Sequence, residues 1–546
     1  MGHHREKRIE QIMADYVGAA THTATELENN NRAFFERYFA SVDYLRQHPQ
    51  LCGFYPIAGD ALGRCVPWAL RKGQGAQTVV LIHHSDTVDT DDYGALKQWA
   101  YSPYELTQRY HNGEADLDAA SADDLHSGEW LFGRGVADMK GGAAIHMALF
   151  EEYAGEADFS GNVLLLGLPD EENLSAGMRS AVHLLGELKE KHGLQYSLML
   201  NIESQERDEP NDMRVYDGSV GKLMPICYVR GKLAHVGQVF SGLNPIHILS
   251  EIVTATELCP DFIEQVGNTE VPPPAWLYLK DRKEVYDVSL PLAAAGYMSV
   301  LTLKSSAREV MARVHDLAAG AFERVIARAN RGYRVYMQDE QATLPWKVNV
   351  QTYDQVYQQA LRDAGDALPE ALADYQAIAK EQIARGTLSM AEAAFQMIER
   401  TVAHLKSAEP LVVLAMSPPY YPHVHNSMLP DGAPQITGLL EYLAQYTGEK
   451  LNSSFHVKSF YTGISDLSYA LYERNLENAD YIRANMLLWG EIYDIPLDEI
   501  RDLSIPVLNI GPWGKDLHKY TERVHMKDLL ERVPALVDAA IRHLLQ

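Results

Sequence analysis

The chain alternates continuous apolar runs with longer stretches whose apolar residues recur every three to four positions. The runs are QTVVLIHHSDTV (77–88), GNVLLLGLPDEEN (161–173) and YSLMLNIESQE (196–206), and each ends in acids or histidine. Unbroken runs of this kind predict strands buried on both faces. The intervening spacing is helical. Ile9, Ile12, Met13 and Tyr16, then Phe34, Phe35, Tyr38, Phe39 and Leu45, mark helix within 5–50, and helices are predicted over about 142–153 and over 175–192. Strands alternating with helices predict an α/β domain with a largely parallel, mixed sheet lying between helices. Residues 89–129, which hold ADLDAASADDLHSGE, show little periodicity and predict a long acidic loop, functional or mobile.

The texture changes near residue 220. KLMPICYVRGKLAHV predicts a half-exposed strand, followed by helix 245–258, strands near 275–281 and 296–304, helix 307–331 and a last strand in RGYRVYMQD. That β-α-β-β-α-β order, with antiparallel character, predicts a smaller α+β domain interrupting the first. Residues 366–408 are rich in Ala, Glu and Gln and predict helices, read as a solvated cap. PLVVLAM (410–416), helix 434–447 and SIPVLNI (504–510) then return to the first texture. The expected organisation is a main α/β domain in three pieces, 1–220, 345–365 and 409–546. The α+β domain occupies 221–344 and the helical insertion 366–408.

A chain of 546 residues exceeds one core, which agrees with two or three domains. Its formal charge of 48 − 74 = −26 argues against a nucleic-acid partner. No run is long and apolar enough for a membrane span. The start, MGHHREKRIEQIMADYV, lacks the apolar segment of a secretory signal. The four cysteines, Cys52, Cys65, Cys227 and Cys259, form no CxxC motif and suit a reducing cytoplasm.

The candidate chemistry lies at strand ends. His84 and Asp86 sit in HHSDTV. Asp138 sits in the glycine-dense turn LFGRGVADMKGG (131–142). Asp170, Glu171 and Glu172 end the second run, Glu203 ends the third, and His518 and Glu522 follow the last strand. In an open α/β sheet the carboxyl ends of strands face one crevice, so these groups can meet. Two imidazoles and three carboxylates suit zinc, cobalt or manganese. Two divalent ions bring four positive charges against three negative ones from Asp138, Glu172 and Glu203, which favours a bound hydroxide as nucleophile. Asp138 can bridge two ions with its two oxygens. Glu171, beside a ligating Glu172, is placed to take a proton from the attacking water and hand it to a leaving amine. Asp86 is expected to hold the His84 imidazole in its tautomer. His83 should point away into the structure. His423 and His425, beside Tyr420 and Tyr421, are weaker candidates for a pocket.

These segments resemble the M20 family of dinuclear metallohydrolases. Its H-[ST]-D-x-V looks like His84 to Val88, its G-R-G-x-x-D-x-K-G like Gly133 to Gly141, and its D-E-E like Asp170 to Glu172. Its acid after a strand looks like Glu203, its G-K-x-x-H like Gly231 to His235, its G-x-N like Gly242 to Asn244, its G-x-[ST]-D like Gly463 to Asp466, and its H-x-x-x-E like His518 to Glu522. The resemblance implies one metal held by His84, Asp138 and Glu203 and a second by Asp138, Glu172 and His518. It implies Glu171 as general base and acid. It places His235 on a lid domain, reaching an active site (often the partner subunit's) to stabilise an oxyanion. It assigns Asn244, Gly463, Ser465 and Asp466 to substrate binding. It further implies two divalent ions, zinc first, a small-molecule or short-peptide substrate, and a homodimer formed through the lid. VRGKLAHVGQVFSGLNP, Pro272–Pro274, KEVYDV (283–288) and PPYYPHVHN (418–426) look most like the RocB-type members associated with arginine utilisation. The lid-strand arginine by which many members grip a carboxylate has no clean match in MSVLTLKSSAREV, which offers Lys304 and Arg308. The expected function is hydrolysis of an amide or peptide bond. The alternatives are a non-catalytic member of the fold acting as a binding or regulatory module, and a mononuclear structural metal site.

Overall fold

The structure is a computed structural model, and it describes residues 2–207, 209–473 and 476–545. Its larger sheet has eight strands, in the spatial order Cys52–Pro56, Cys65–Arg71, Asn162–Leu168, Gln77–His84, Gln195–Asn201, Val507–Asn509, Asp212–Tyr216 and Ser454–Lys458. The four central strands, from Asn162–Leu168 to Val507–Asn509, are parallel to one another, while antiparallel pairs lie toward both margins. Val79, Val80, Leu81 and Ile82 alternate between the two faces of the sheet, and all four are fully buried. Helices therefore cover both faces, among them Lys140–Gly155 and Ala176–His192. This is the α/β class with a mixed sheet expected from the apolar runs.

A second sheet runs Ala275–Asp281, Ala293–Thr302, Pro225–Arg230, Leu411–Met416 and Val350–Thr352, with Gly221–Leu223 paired to the far end of Ala293–Thr302. Two expected strand placements change here. RGYRVYMQD is not a strand: the helix Ala307–Met337 continues through it, and Tyr333 and Tyr336, three residues apart on one helix face, both lie against Phe240 at 5.3 Å between ring centroids. Aromatic and β-branched residues favoured a strand locally, but a helix already nucleated by the Ser306–Glu309 capping box overrides that preference. The strand that closes the β-α-β-β-α-β order is Leu411–Met416, antiparallel to Pro225–Arg230. Leu411–Met416, expected with the main domain, and Val350–Thr352, within the stretch 345–365 assigned to that domain, both belong to the second sheet.

The helices Tyr353–Ala364, Ala367–Ala384 and Met390–Ala403 thus fall within this second unit. Their apolar residues, among them Val356, Leu372 and Phe395, pack on the sheet face that carries Ile226 and Tyr228. The opposite face, carrying Cys227 and Val229, packs with Ile248, Leu249 and Val314 of the other two helices. The insertion is a packed layer rather than a solvated cap.

Residues 89–129 are also ordered. They contain the helices Pro103–His111 and Ala119–Ser127, and their Tyr93, Leu96, Leu106, Tyr110 and Leu125 form a small core with Trp130, Phe132 and Trp513. Helices this short need few apolar residues, so acids dominated the pattern. Among the described residues no helix is long and apolar enough to cross a membrane.

Candidate metal centre

Three of the parallel strands deliver functional side chains at the same edge of the sheet. His84 is the last residue of its strand, Asp170 to Glu172 follow Asn162–Leu168, and Glu203 follows Gln195–Asn201. Asp138 arrives from the turn between Trp130–Phe132 and the helix starting at Lys140. Two features bend that turn. Gly135 takes a left-handed φ of 79°. A Cβ on Gly141 would lie 2.1 Å from the Val136 carbonyl oxygen. Glu522 then pins the turn: its Oε1 accepts hydrogen bonds from the Ala137 and Asp138 amides at 3.1 and 3.2 Å, and its Oε2 accepts one from the buried Arg134 guanidinium at 2.8 Å.

Asp138 uses its two oxygens differently. Oδ1 lies 2.8 Å from His84 Nε2, and Oδ2 lies 3.1 Å from His518 Nε2. Glu203 Oε1 is 3.5 Å from the same His84 nitrogen, and Glu172 is 3.1 Å from the same His518 nitrogen. Two overlapping groups result, His84–Asp138–Glu203 and Asp138–Glu172–His518, each with one donor atom per residue within 4.8 Å of the others. A third such group joins His84, Glu171 and Glu172.

The electrostatics fit a site for cations. Burial pushes Glu203 and Glu171 well above the usual carboxylate range, and Glu172 upward as well, with neighbouring carboxylates adding to it and His84 opposing it. Burial disfavours a charged His84, yet Glu203 and Asp138 raise it well above its ordinary value. His518 is raised to about 10 by its hydrogen bonds to Asp138 and Glu172. Asp138 is lowered against its own burial by His518 and His84. Four acids this close favour positive charge among them, and they raise the proton affinity of both imidazoles. Imidazole and carboxylate donors can exchange protons for divalent metal, so the residues present fit two such ions.

Other residues singled out by sequence fall in different places. Asp86 is buried, but His84 Nδ1 lies 3.0 Å from its backbone oxygen and 3.8 Å from its carboxylate. The carboxylate instead accepts hydrogen bonds from the Glu171 and Glu172 amides at 3.1 and 3.2 Å, so it shapes the turn that presents both glutamates. His83 packs in the core against Tyr16 and Phe35. Gly463 lines the pocket over the acids. Ser465 lies behind it, 3.0 Å from Ser219 Oγ. Asp466 is buried, and burial lifts it to about 7, against the opposing effect of Ser175. His235 and Asn244 are not in this pocket. Each caps its own backbone, His235 accepting from Gly237 N and Asn244 from Ile246 N, and His235 is exposed.

The pocket has a volume of about 310 Å³. Sequence reasoning missed several of its walls: Lys222, Tyr421, Tyr461, Pro419, Ile464 and Leu517. Tyr421 stands beside the histidines that were considered, but His423 and His425 do not line it. Lys222 and Tyr421 meet where the chain passes between the two sheets, each donating its amide to the other's carbonyl at 2.8 and 3.0 Å. A single lysine in a strand carries no spacing signal.

Comparison with known proteins bears on the family of the chain. The sequence model of peptidase family M20/M25/M40 matches residues 80–398. An uncharacterized protein of Bacillus subtilis (strain 168), YqjN, is 34% identical over 515 residues, spanning 93% of this chain and 91% of its own. Protein RocB of the same organism is 30% identical over 553 residues, spanning 99% and 95%. Among solved structures, the fold is similar to that of the Bacillus subtilis YXEP protein, described as a dinuclear metal binding peptidase from the M20 family. The TM-score is 0.51 at 11% identity, covering 99% of this chain and 98% of the other.

Proposed function

The chain belongs to peptidase family M20/M25/M40, and from that premise we propose that it hydrolyses an amide or peptide bond of a small substrate, with His84, Asp138, Glu172, Glu203 and His518 holding two divalent ions. Zinc is the first choice, manganese or cobalt the alternatives. Such ions, when bound, supply Lewis acidity and make water a nucleophile near neutral pH. His84, Asp138 and Glu203 form one ligand set, and Asp138, Glu172 and His518 the other. Glu171 groups with His84 of one set and Glu172 of the other, has no basic side chain hydrogen-bonded to it among the described residues, and burial raises its proton affinity. It therefore accepts the proton of the attacking water and delivers it to the leaving amine. Asp86 positions Glu171 through the turn amide. Gly463, with Ser465 and Asp466 behind it, shapes the substrate wall. The observation that carries this reading is the division of the Asp138 oxygens between His84 and His518.

His235 and Asn244 complete the site from a second copy in this proposal. Leu233, Val236 and Val239 are exposed on one lid loop, and Val285, Tyr286 and Val288 on the segment bonded to it through Val236 N and Val288 O. An apolar patch of this kind suits a homodimer with its two-fold axis at the lid. His235 would then stabilise the oxyanion in the partner's pocket. The four cysteines are unpaired, which suits the cytoplasm.

The test is a hydrolysis screen of zinc- or manganese-loaded protein over N-acyl amino acids and short peptides. Arginine derivatives, which the RocB-type resemblance implied, belong in it. Turnover that falls by about 100-fold or more in Glu171→Gln, with metal retained, supports the proposal. Full activity of that variant, or protein that binds neither metal, ends it.

A further inference from the structure

Most donors on the pocket wall are already engaged. Lys222 is faced by Glu171, and His518 is bonded to Asp138 and Glu172. The Asn173 side-chain amide donates to Asp170 Oδ1 at 3.1 Å, and the Tyr421 hydroxyl lies 3.4 Å from Ser175 Oγ. Tyr461 differs. Its ring lines the pocket, and among the described residues its hydroxyl makes no hydrogen bond. A tyrosine hydroxyl withdrawn from bulk solvent ordinarily finds a partner. This one interacts electrostatically with Glu203, Asp138 and Glu171. Those are a ligand of one set, the ligand shared by both, and the general base, so the hydroxyl looks onto the place where the scissile carbonyl has to lie.

The hydroxyl is also held in place. The Tyr461 amide donates to the Gly218 carbonyl at 2.8 Å, and the Tyr461 carbonyl accepts from the Val220 amide at 2.9 Å. The ring meets Tyr216 edge-on, with centroids 5.3 Å apart. Gly463 leaves it room: a Cβ there would lie 2.7 Å from Tyr461 Cε1 and 2.8 Å from the hydroxyl oxygen. A donor fixed at both backbone and ring needs little reorganisation when charge develops in front of it, which is the condition for stabilising a transition state.

We propose that Tyr461 is a further catalytic residue, whose hydroxyl donates a hydrogen bond to the carbonyl oxygen of the bond being hydrolysed and strengthens that bond as the oxygen becomes anionic. The proposal rests on the function proposed above. The phenol keeps its proton, no covalent bond is made or broken at it, and the proton of the attacking water still passes through Glu171. Tyr461 belongs to the same chain as the acidic cluster, so it acts beside His235 of a second copy and does not replace it. Gly463 then serves the site by leaving space for this donor.

Calorimetry on zinc-loaded full-length protein tests it with two probes of matched chain length. Butaneboronic acid takes up hydroxide and becomes a tetrahedral anion, whereas pentanoate stays planar. The parent should bind the boronate more tightly than pentanoate. Tyr461→Phe keeps the ring and removes only the hydroxyl. It should weaken the boronate about tenfold or more and pentanoate by less than about twofold. Zinc content, measured in parallel, should be equal in both proteins. On any substrate that the hydrolysis screen turns over, the same variant should lower kcat by about 100-fold and leave KM within about threefold. The inference is overturned if the parent does not prefer the boronate, if Tyr461→Phe keeps that preference, if both probes weaken equally, if the variant loses zinc, or if it keeps the parental kcat. A protein that binds no metal ends this inference together with the function proposed above. Otherwise the two fail separately, since a protein that hydrolyses nothing in the screen can still score boronate against pentanoate.

Discussion

The edge of the main sheet and the loops of the second sheet both carry histidines that belong to family motifs, and they treat them in opposite ways. At the sheet edge His84 and His518 are wrapped by Asp138, Glu172 and Glu203 within one chain. On the second unit, His235 is exposed, and among the described residues its imidazole hydrogen-bonds only to the Gly237 amide of its own loop. The first group is complete when the chain folds. His235 is not among the residues that line the pocket, and Leu233, Val236 and Val239, near it in the chain, are exposed. The contrast teaches that the acidic cluster is assembled within one chain, whereas the proposed oxyanion role of His235 depends on a second copy, which is the part of the proposal to test.

The sharpest way to break this comparison is at Asp138. Asp138→Ala should remove both metals, costing more than the roughly 10–100-fold loss typical of a supporting group, whereas His84→Ala and His518→Ala should each deplete mainly one. Metal analysis of the three purified proteins decides it, and equal stoichiometry in all three would dissolve the shared-ligand arrangement. Next in size is His235→Ala, expected to lower kcat by about 100–1,000-fold while leaving metal content intact. Mixing it with Glu171→Gln protein should restore activity if His235 acts across a dimer. No recovery would return His235 to its own chain. Smaller again is Glu522→Ala, which touches no ligand atom in the clusters but frees the Ala137 and Asp138 amides. It should weaken metal affinity about 10–100-fold, read by chelator competition.

The least disruptive test is pH. In metal-free protein His518 is raised from 6.5 to about 10. A raised basic group stabilises the fold fully below its unfolded value, and that contribution is lost as pH rises through about 10. The melting temperature in chelator should therefore decline between those limits, and His518→Gln should flatten the decline. Metal affinity should move the other way, rising with pH as protons cease to compete. A melting profile that His518→Gln leaves unchanged would remove the imidazolium from the cluster.

The sheet edge was legible in the sequence because strand ends concentrate polar residues after unbroken apolar runs, and the motifs fix their order. The lid was less so. LVVLAM (411–416) is apolar at every position, and such a run fits a buried strand of either sheet, so its pairing with Pro225–Arg230 could not be told from pattern. Residues 331–337 carried strand-favouring side chains on a helix whose stability was set upstream. Asp86 stood out in the sequence, but which of its oxygens meets His84 depends on local backbone geometry that spacing does not encode. Lys222 became visible only when the two sheets were placed beside one another.

The helices at 353–403 have a practical consequence for anyone who wishes to divide the chain. A boundary drawn near residue 345 would strip one layer from the second sheet. It would bare Ile226, Tyr228, Ala293 and Ala295 and remove the strand that carries Leu411 and Val413. Such a fragment would present an open, apolar sheet face and an unpaired edge, the combination that drives proteins to aggregate. The smallest piece with a sealed lid runs past Met416, so the insertion is a wall of the unit and not an ornament on it.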